Sequence, residues 1–130
     1  MSIQIIRVEP FATFSEQRKA NVSSVVVHGG IVYVSQMPPY DPVTGEVKRL
    51  ALRQQMEIVL TQMQKCVEAA GSSMQKIIQC SVYANDPAHL PTINEVYARY
   101  FPSRPPARKL IFVSGWHGPF DVEVDCMAAL

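Results

Sequence analysis

From Leu50 onward the apolar residues change their period. Leu52, Met56, Val59, Leu60, Met63, Val67 and Ala70 recur at steps of three and four, the spacing of one helix face, and Gly71 stands where a helix C-cap favours glycine. On both sides of this stripe lie short runs rich in β-branched residues, bounded by Gly, Pro and Asn. A helix with one apolar face must bury that face against a second layer, and strand-like runs supply a sheet. The chain is thereby confined to an α+β layered arrangement.

Along the chain, Ile3-Gln4-Ile5-Ile6-Arg7-Val8 reads as a first strand closed by Pro10, and residues 11–23 read as a loop. Val25-Val26-Val27 and Ile31-Val32-Tyr33-Val34-Ser35 flank His28-Gly29-Gly30, which predicts a β-hairpin. Pro38, Pro39, Asp41, Pro42 and Gly45 mark an ordered surface loop before the first helix. Residues 76–84 predict a strand, and Asn85-Asp86-Pro87 starts a second amphipathic helix carrying Leu90, Ile93, Val96, Tyr97 and Tyr100. Pro102, Pro105 and Pro106 end it, and two further strands follow. The expected fold is one domain over residues 1–130, with six strands and two helices on one face. Several strands are apolar on both sides, so the uncovered sheet face is expected to find a partner copy.

Composition narrows the function. Apolar residues make up 48% of the 130 and charged residues 18%, enough for a core and too little charge for a disordered chain. The net charge is +1 and the basic residues are scattered, which argues against a nucleic-acid footprint. No apolar run approaches the roughly 18 residues of a membrane helix, and the N-terminus has no basic flank before an apolar stretch, so a cytoplasmic protein without a membrane partner is expected. Cys66, Cys80 and Cys126 have neither paired spacing nor accompanying histidines, and read as buried thiols rather than metal ligands. With no phosphate loop, dinucleotide fingerprint or nucleophile elbow, no cofactor and no metal are expected.

The chemistry-bearing residues lie near the C-terminus. Pro105-Pro106-Ala107-Arg108 runs into Lys109-Leu110-Ile111-Phe112-Val113, and Glu123 follows within Val122-Glu123-Val124-Asp125-Cys126-Met127. Arginine offers a rigid fork that binds a carboxylate with two hydrogen bonds, and a glutamate can move a proton or position water. By strand alternation Arg108, Leu110 and Phe112 share one face, as do Glu123, Asp125 and Met127. Spacing alone is also met by a plain Arg108–Glu123 ion pair on neighbouring strands. His28 and His89 have no catalytic partner at a recognisable spacing. His117 lies in the loop between the two strands and reads as an exposed turn residue.

These segments resemble the Rid family, also called YjgF/YER057c/UK114, which carries a P-A-R segment and then a glutamate at the same interval. Pro42-Val43-Thr44-Gly45-Glu46 is similar to the family's P-x-T-G-E turn, and residues 92–101 to its V-N-x-x-Y-x-x-F helix. The resemblance implies a chorismate-mutase-like fold, a homotrimer, and sites in the clefts between subunits. It also implies that Arg108 binds the substrate carboxylate, that Glu123 is associated with the catalytic water, and that Asn94 borders the pocket. Three departures stand out. Gln36 replaces a family glycine, Leu110 replaces a small polar residue, and Val22 or its neighbourhood lacks the expected tyrosine, with Phe14 placed to enter the pocket instead. Such changes alter pocket volume and hydrogen bonding.

The function implied is hydrolytic deamination of reactive enamines and imines to 2-oxo acids and ammonia, acting on a small carboxylate. A non-enzymatic carboxylate-binding or chaperone-like trimer is the alternative. Ribonuclease or translation-inhibitor activity, attached to some relatives, is disfavoured by the near-neutral charge.

Overall fold

The computed structural model describes residues 2–130. Its six strands are β1 (Gln4–Ile6), β2 (Val25–His28), β3 (Ile31–Met37), β4 (Ile77–Ala84), β5 (Ala107–Phe112) and β6 (Val122–Ala129). Three α-helices accompany them, α1 (Phe11–Gln17), α2 (Leu52–Ala69) and α3 (Leu90–Tyr100). The strands form one mixed sheet in the order β1-β2-β3-β6-β4-β5, in which only β4 and β5 run parallel.

β2 and β3 meet through a two-residue turn, with Val25 opposite Val34 and His28 opposite Ile31. Gly29 and Gly30 both have positive φ there, which suits the right-handed twist of the flanking strands. Val25, Val27, Val32, Val34, Cys80, Val82, Val122, Val124, Cys126 and Ala128 are all buried and form the core with the α2 stripe of Met56, Val59, Leu60, Met63 and Val67. Asp86 caps the 3₁₀ turn Pro87–His89 ahead of α3, its carboxylate accepting the Ala88 N–H at 2.9 Å. The three thiols are buried, and desolvation pushes Cys66 and Cys80 up to about 12 and Cys126 upward as well. They are therefore held as protonated, inert thiols. Among the described residues no helix is long and apolar enough to cross a membrane.

Residues 11–23, expected as a loop, contain α1. The helix is fixed by its ends and by one apolar side. Glu9 accepts the backbone N–H and the hydroxyl of Thr13 at 3.1 and 2.8 Å, and Arg7 bridges Glu9 and Glu16. Phe11 and Phe14, three apart, then bury against Tyr40, with ring centroids 6.2 and 5.2 Å away. An element of seven residues carries too few apolar positions to show a period by itself, and its stability comes from tertiary packing.

The loop after β3 is locked onto the same cluster. Asp41 accepts the N–H groups of Val43 and Thr44 at 2.9 and 3.0 Å, making a tight turn that places Gly45 at φ 73° directly against the Phe14 ring. A β-carbon at Gly45 would clash with that ring. Gly45→Ala is therefore expected to lower stability by about 2–4 kcal/mol, the sum of left-handed strain and overpacking. Urea denaturation would check it, and an unchanged midpoint would show that α1 yields freely.

Candidate functional site

Register decides where the two signature residues go. Arg108 lies opposite Cys80 on β4, and Cys80 lies opposite Cys126 on β6, so all three face the helices. Glu123 lies opposite Tyr83, an odd number of residues along β4, and faces away from the helices. β4 stands between β5 and β6. An Arg108–Glu123 ion pair on neighbouring strands is thereby corrected: the strands are not neighbours, and the side chains occupy opposite faces of the sheet.

Arg108 is exposed at the sheet edge, where its guanidinium is nevertheless held. It donates to Asn94 Oδ1 at 2.9 Å and lies 5.0 Å over the Tyr97 ring. Tyr97 is buried and packs on Phe101, in keeping with a packing role. Leu110 shares the face of Arg108 and packs against the core. Asn94 on α3 thus orients the arginine while leaving most of its N–H donors free.

Glu123 is only 3% exposed and lines a cavity of about 260 Å³ on the other face. Around it are Gln36, Val22, Ser35, Tyr40, Arg18, Trp116 and His117. Burial, reinforced by the charge of Asp125 two residues on, pushes the Glu123 carboxyl up to about 7. Asp125 itself accepts from the Tyr83 hydroxyl at 2.8 Å. A carboxyl near neutrality beside an open cavity can both take and give a proton under ordinary conditions.

Two local devices shape this cavity. Between Val34 and Met37 the pairing of β3 with β6 shifts register, and the irregularity places Ser35 and Gln36 beside Glu123. The loop before β6 is pinned at Asp121, which receives Arg49 at 2.6 Å, Gln55 at 2.8 Å and Asn85 at 3.0 Å, while Trp116 donates to its carbonyl at 3.2 Å. Burial alone would raise the Asp121 carboxyl, but the bonds from Asn85, Arg49 and Gln55 outweigh it and hold it below its ordinary value. This loop presents Trp116 and His117 to the cavity.

Of the residues expected around a ligand, Glu123, Gln36 and Val22 share one cavity, whereas Arg108, Asn94 and Leu110 form a separate group across the sheet. Phe14 does not enter the cavity; it is drawn into the core by Phe11, Tyr40 and Gly45. Arg18, Tyr40 and Trp116 went unrecognised in the sequence. Arg18 follows α1, which the short apolar pattern did not reveal, and the other two carry no motif. No group of His, Cys, Asp and Glu among the described residues is arranged to hold a metal ion.

The fold and site together are a layered α+β domain with a buried carboxylate, Glu123, lining a cavity of about 260 Å³. Residues 15–130 match the family model described as Endoribonuclease L-PSP, and the chain belongs to that family, the Rid or YjgF family. A RutC family protein of Pyrococcus horikoshii is 32% identical over 106 residues, covering 82% of this chain and 84% of the relative. Reactive Intermediate Deaminase A, chloroplastic, of Arabidopsis thaliana is 29% identical over 108 residues, covering 83% of this chain and 58% of the relative. The crystal structure of TdcF from E. coli with bound serine superposes with a TM-score of 0.78 at 28% identity, covering 84% of this chain and 87% of that one.

Proposed function

We propose that this protein hydrolyses reactive enamine or imine intermediates of amino acids to 2-oxo acids and ammonia, as a cytoplasmic homotrimer. In this assembly Arg108 of one copy reaches the Glu123 cavity of its neighbour. The observation that carries the reading is Glu123, buried beside an open cavity with its carboxyl pushed up to about 7. Kinship with a protein named a reactive intermediate deaminase supports it. Arg108 and Glu123 of one chain cannot grip one small ligand, and an exposed Arg108 held ready by Asn94 suits delivery to a second copy. The face away from the helices exposes Tyr33 at 45%, an apolar surface for that copy.

In the reaction, Arg108 would hold the carboxylate so that the carbon of the C=N bond meets water in the cavity. Glu123 takes a proton from the attacking water as oxygen bonds to the carbon of the protonated imine, and delivers it to nitrogen, giving an ammonium carbinolamine. Its C–N bond then breaks with release of ammonia as the hydroxyl proton passes to Glu123, which leaves the 2-oxo acid, and Glu123 returns that proton to the departing ammonia. Imines hydrolyse readily in water, so positioning and one proton shuttle suffice.

The test is ammonia release from 2-iminopropionate generated in situ. Arg108→Ala is expected to reduce it about a hundredfold, the loss of a charge-assisted bidentate contact together with the orientation it provides. Equal rates in the two proteins would defeat the reading. Gln36, whose side chain occupies the position of a family glycine and lines the cavity, favours a second reading in which the cleft only holds small carboxylates. Binding of 2-oxo acids with no imine turnover would select it.

A further inference from the structure

The Glu123 cavity contains a cation that the proposed reaction does not use. Arg7, Arg49, Arg53 and Arg99 each meet a carboxylate within 4 Å, whereas Arg18 has no such partner among the described residues. Arg18 lines the cavity together with Glu123, and Glu123 is the one acidic residue of the lining. Its guanidinium lies 5.0 Å over the Tyr40 ring. That ring is itself immobilised: Phe11 and Phe14 pack on it, and the Tyr40 backbone N–H donates to Gln62 Oε1 at 3.0 Å. The fork is therefore presented from a rigid platform, with Ser15 and Ser24 buried nearby as further polar lining.

We propose that Arg18 holds a second carboxylate, so that the preferred substrates are imines of dicarboxylic amino acids. The inference rests on the hydrolysis reading above, in which Arg108 of a neighbouring copy takes the carboxylate next to the C=N carbon. Arg18 then receives the distal carboxylate from within the cavity. The volume agrees: about 260 Å³ is roughly nine waters' share of the liquid, room for a diacid of about ten non-hydrogen atoms. A monoacid would offer this exposed fork no carboxylate of its own and leave it to water.

Calorimetry on the assembled protein with two unreactive product-like ligands, 2-oxoglutarate and 2-oxobutyrate, tests this. Wild type is expected to bind the diacid about tenfold more tightly, the effect of one charge-assisted bidentate contact at a partly exposed site. In Arg18→Gln the ratio should fall to about one, and Arg18→Lys, which keeps charge but not the fork, should lie between. A wild-type ratio near one, or a tenfold ratio that survives Arg18→Gln, overturns the role of Arg18. If 2-iminopropionate is still turned over in an Arg108-dependent way, such a result leaves the hydrolysis reading standing. An Arg18-dependent ratio in a protein that turns over no imine upholds the dicarboxylate site and removes the hydrolysis.

Discussion

Mixing an Arg108→Ala copy with a Glu123→Gln copy is expected to restore activity that neither variant has alone. In one chain the two residues lie on opposite faces of the sheet with β4 between them, so the proposed reaction takes them from two chains. Each pure variant has only damaged sites and should lose about a hundredfold in imine hydrolysis, as expected for removing a carboxylate anchor or a proton shuttle. In a randomly mixed cyclic assembly, about a quarter of the interfaces combine an intact Arg108 with an intact Glu123, so about a quarter of wild-type activity should return. Co-expression followed by ammonia measurement reads this directly. No recovery, with mixed assembly verified by mass, would mean that the two residues do not meet between copies.

The second large effect is on pH. The folded Glu123 carboxyl sits near 7, above its ordinary value of 4.5, because burial and then Asp125 disfavour its charge. Between these two values the folded chain binds more protons at this residue than the unfolded one, so the contribution of Glu123 to stability is fully present below about 4.5 and is lost as pH rises through 7. The decline attributable to this group is about 3 kcal/mol, from roughly 1.4 kcal/mol per unit. Glu123→Gln, which keeps shape and cannot ionise, should therefore be more stable than wild type at pH 8 and show no decline of this origin. Chemical denaturation at pH 5 and pH 8 checks it; a wild-type-minus-variant difference that does not change between them would show that Glu123 ionises as an ordinary exposed acid. The same ionisation predicts that kcat/KM for imine hydrolysis rises through a midpoint near 7, since the carboxylate form accepts the proton from water. The variant gains stability while losing activity, a combination that separates a functional carboxylate from a structural one.

What could be read without coordinates follows from local chemistry. The α2 stripe, the Gly29-Gly30 hairpin, the capped start ahead of α3 and the buried thiols each depend on side chains within a few residues of one another. So did the identity of Arg108 and Glu123 as the residues with chemistry to offer, and the membership of each in its own strand face, because alternation along a strand is a local rule. The short helix α1 escaped because Phe11 and Phe14 find their partner, Tyr40, only through tertiary contact. Phe14 was misplaced for the same reason.

Only the tertiary structure decided which strand lies beside which. Alternation assigns each side chain to one of two faces, but which face of one strand joins which face of another depends on strand order and register, set by long-range hydrogen bonding. Insertion of β4 between β5 and β6 therefore put Arg108 on the helix side and Glu123 on the open side, and the irregularity of β3 together with the turn after α1 brought Gln36 and Arg18 to Glu123. Residues separated by a hundred positions share a cavity because the sheet brings them together, and no local pattern in the chain encodes that meeting.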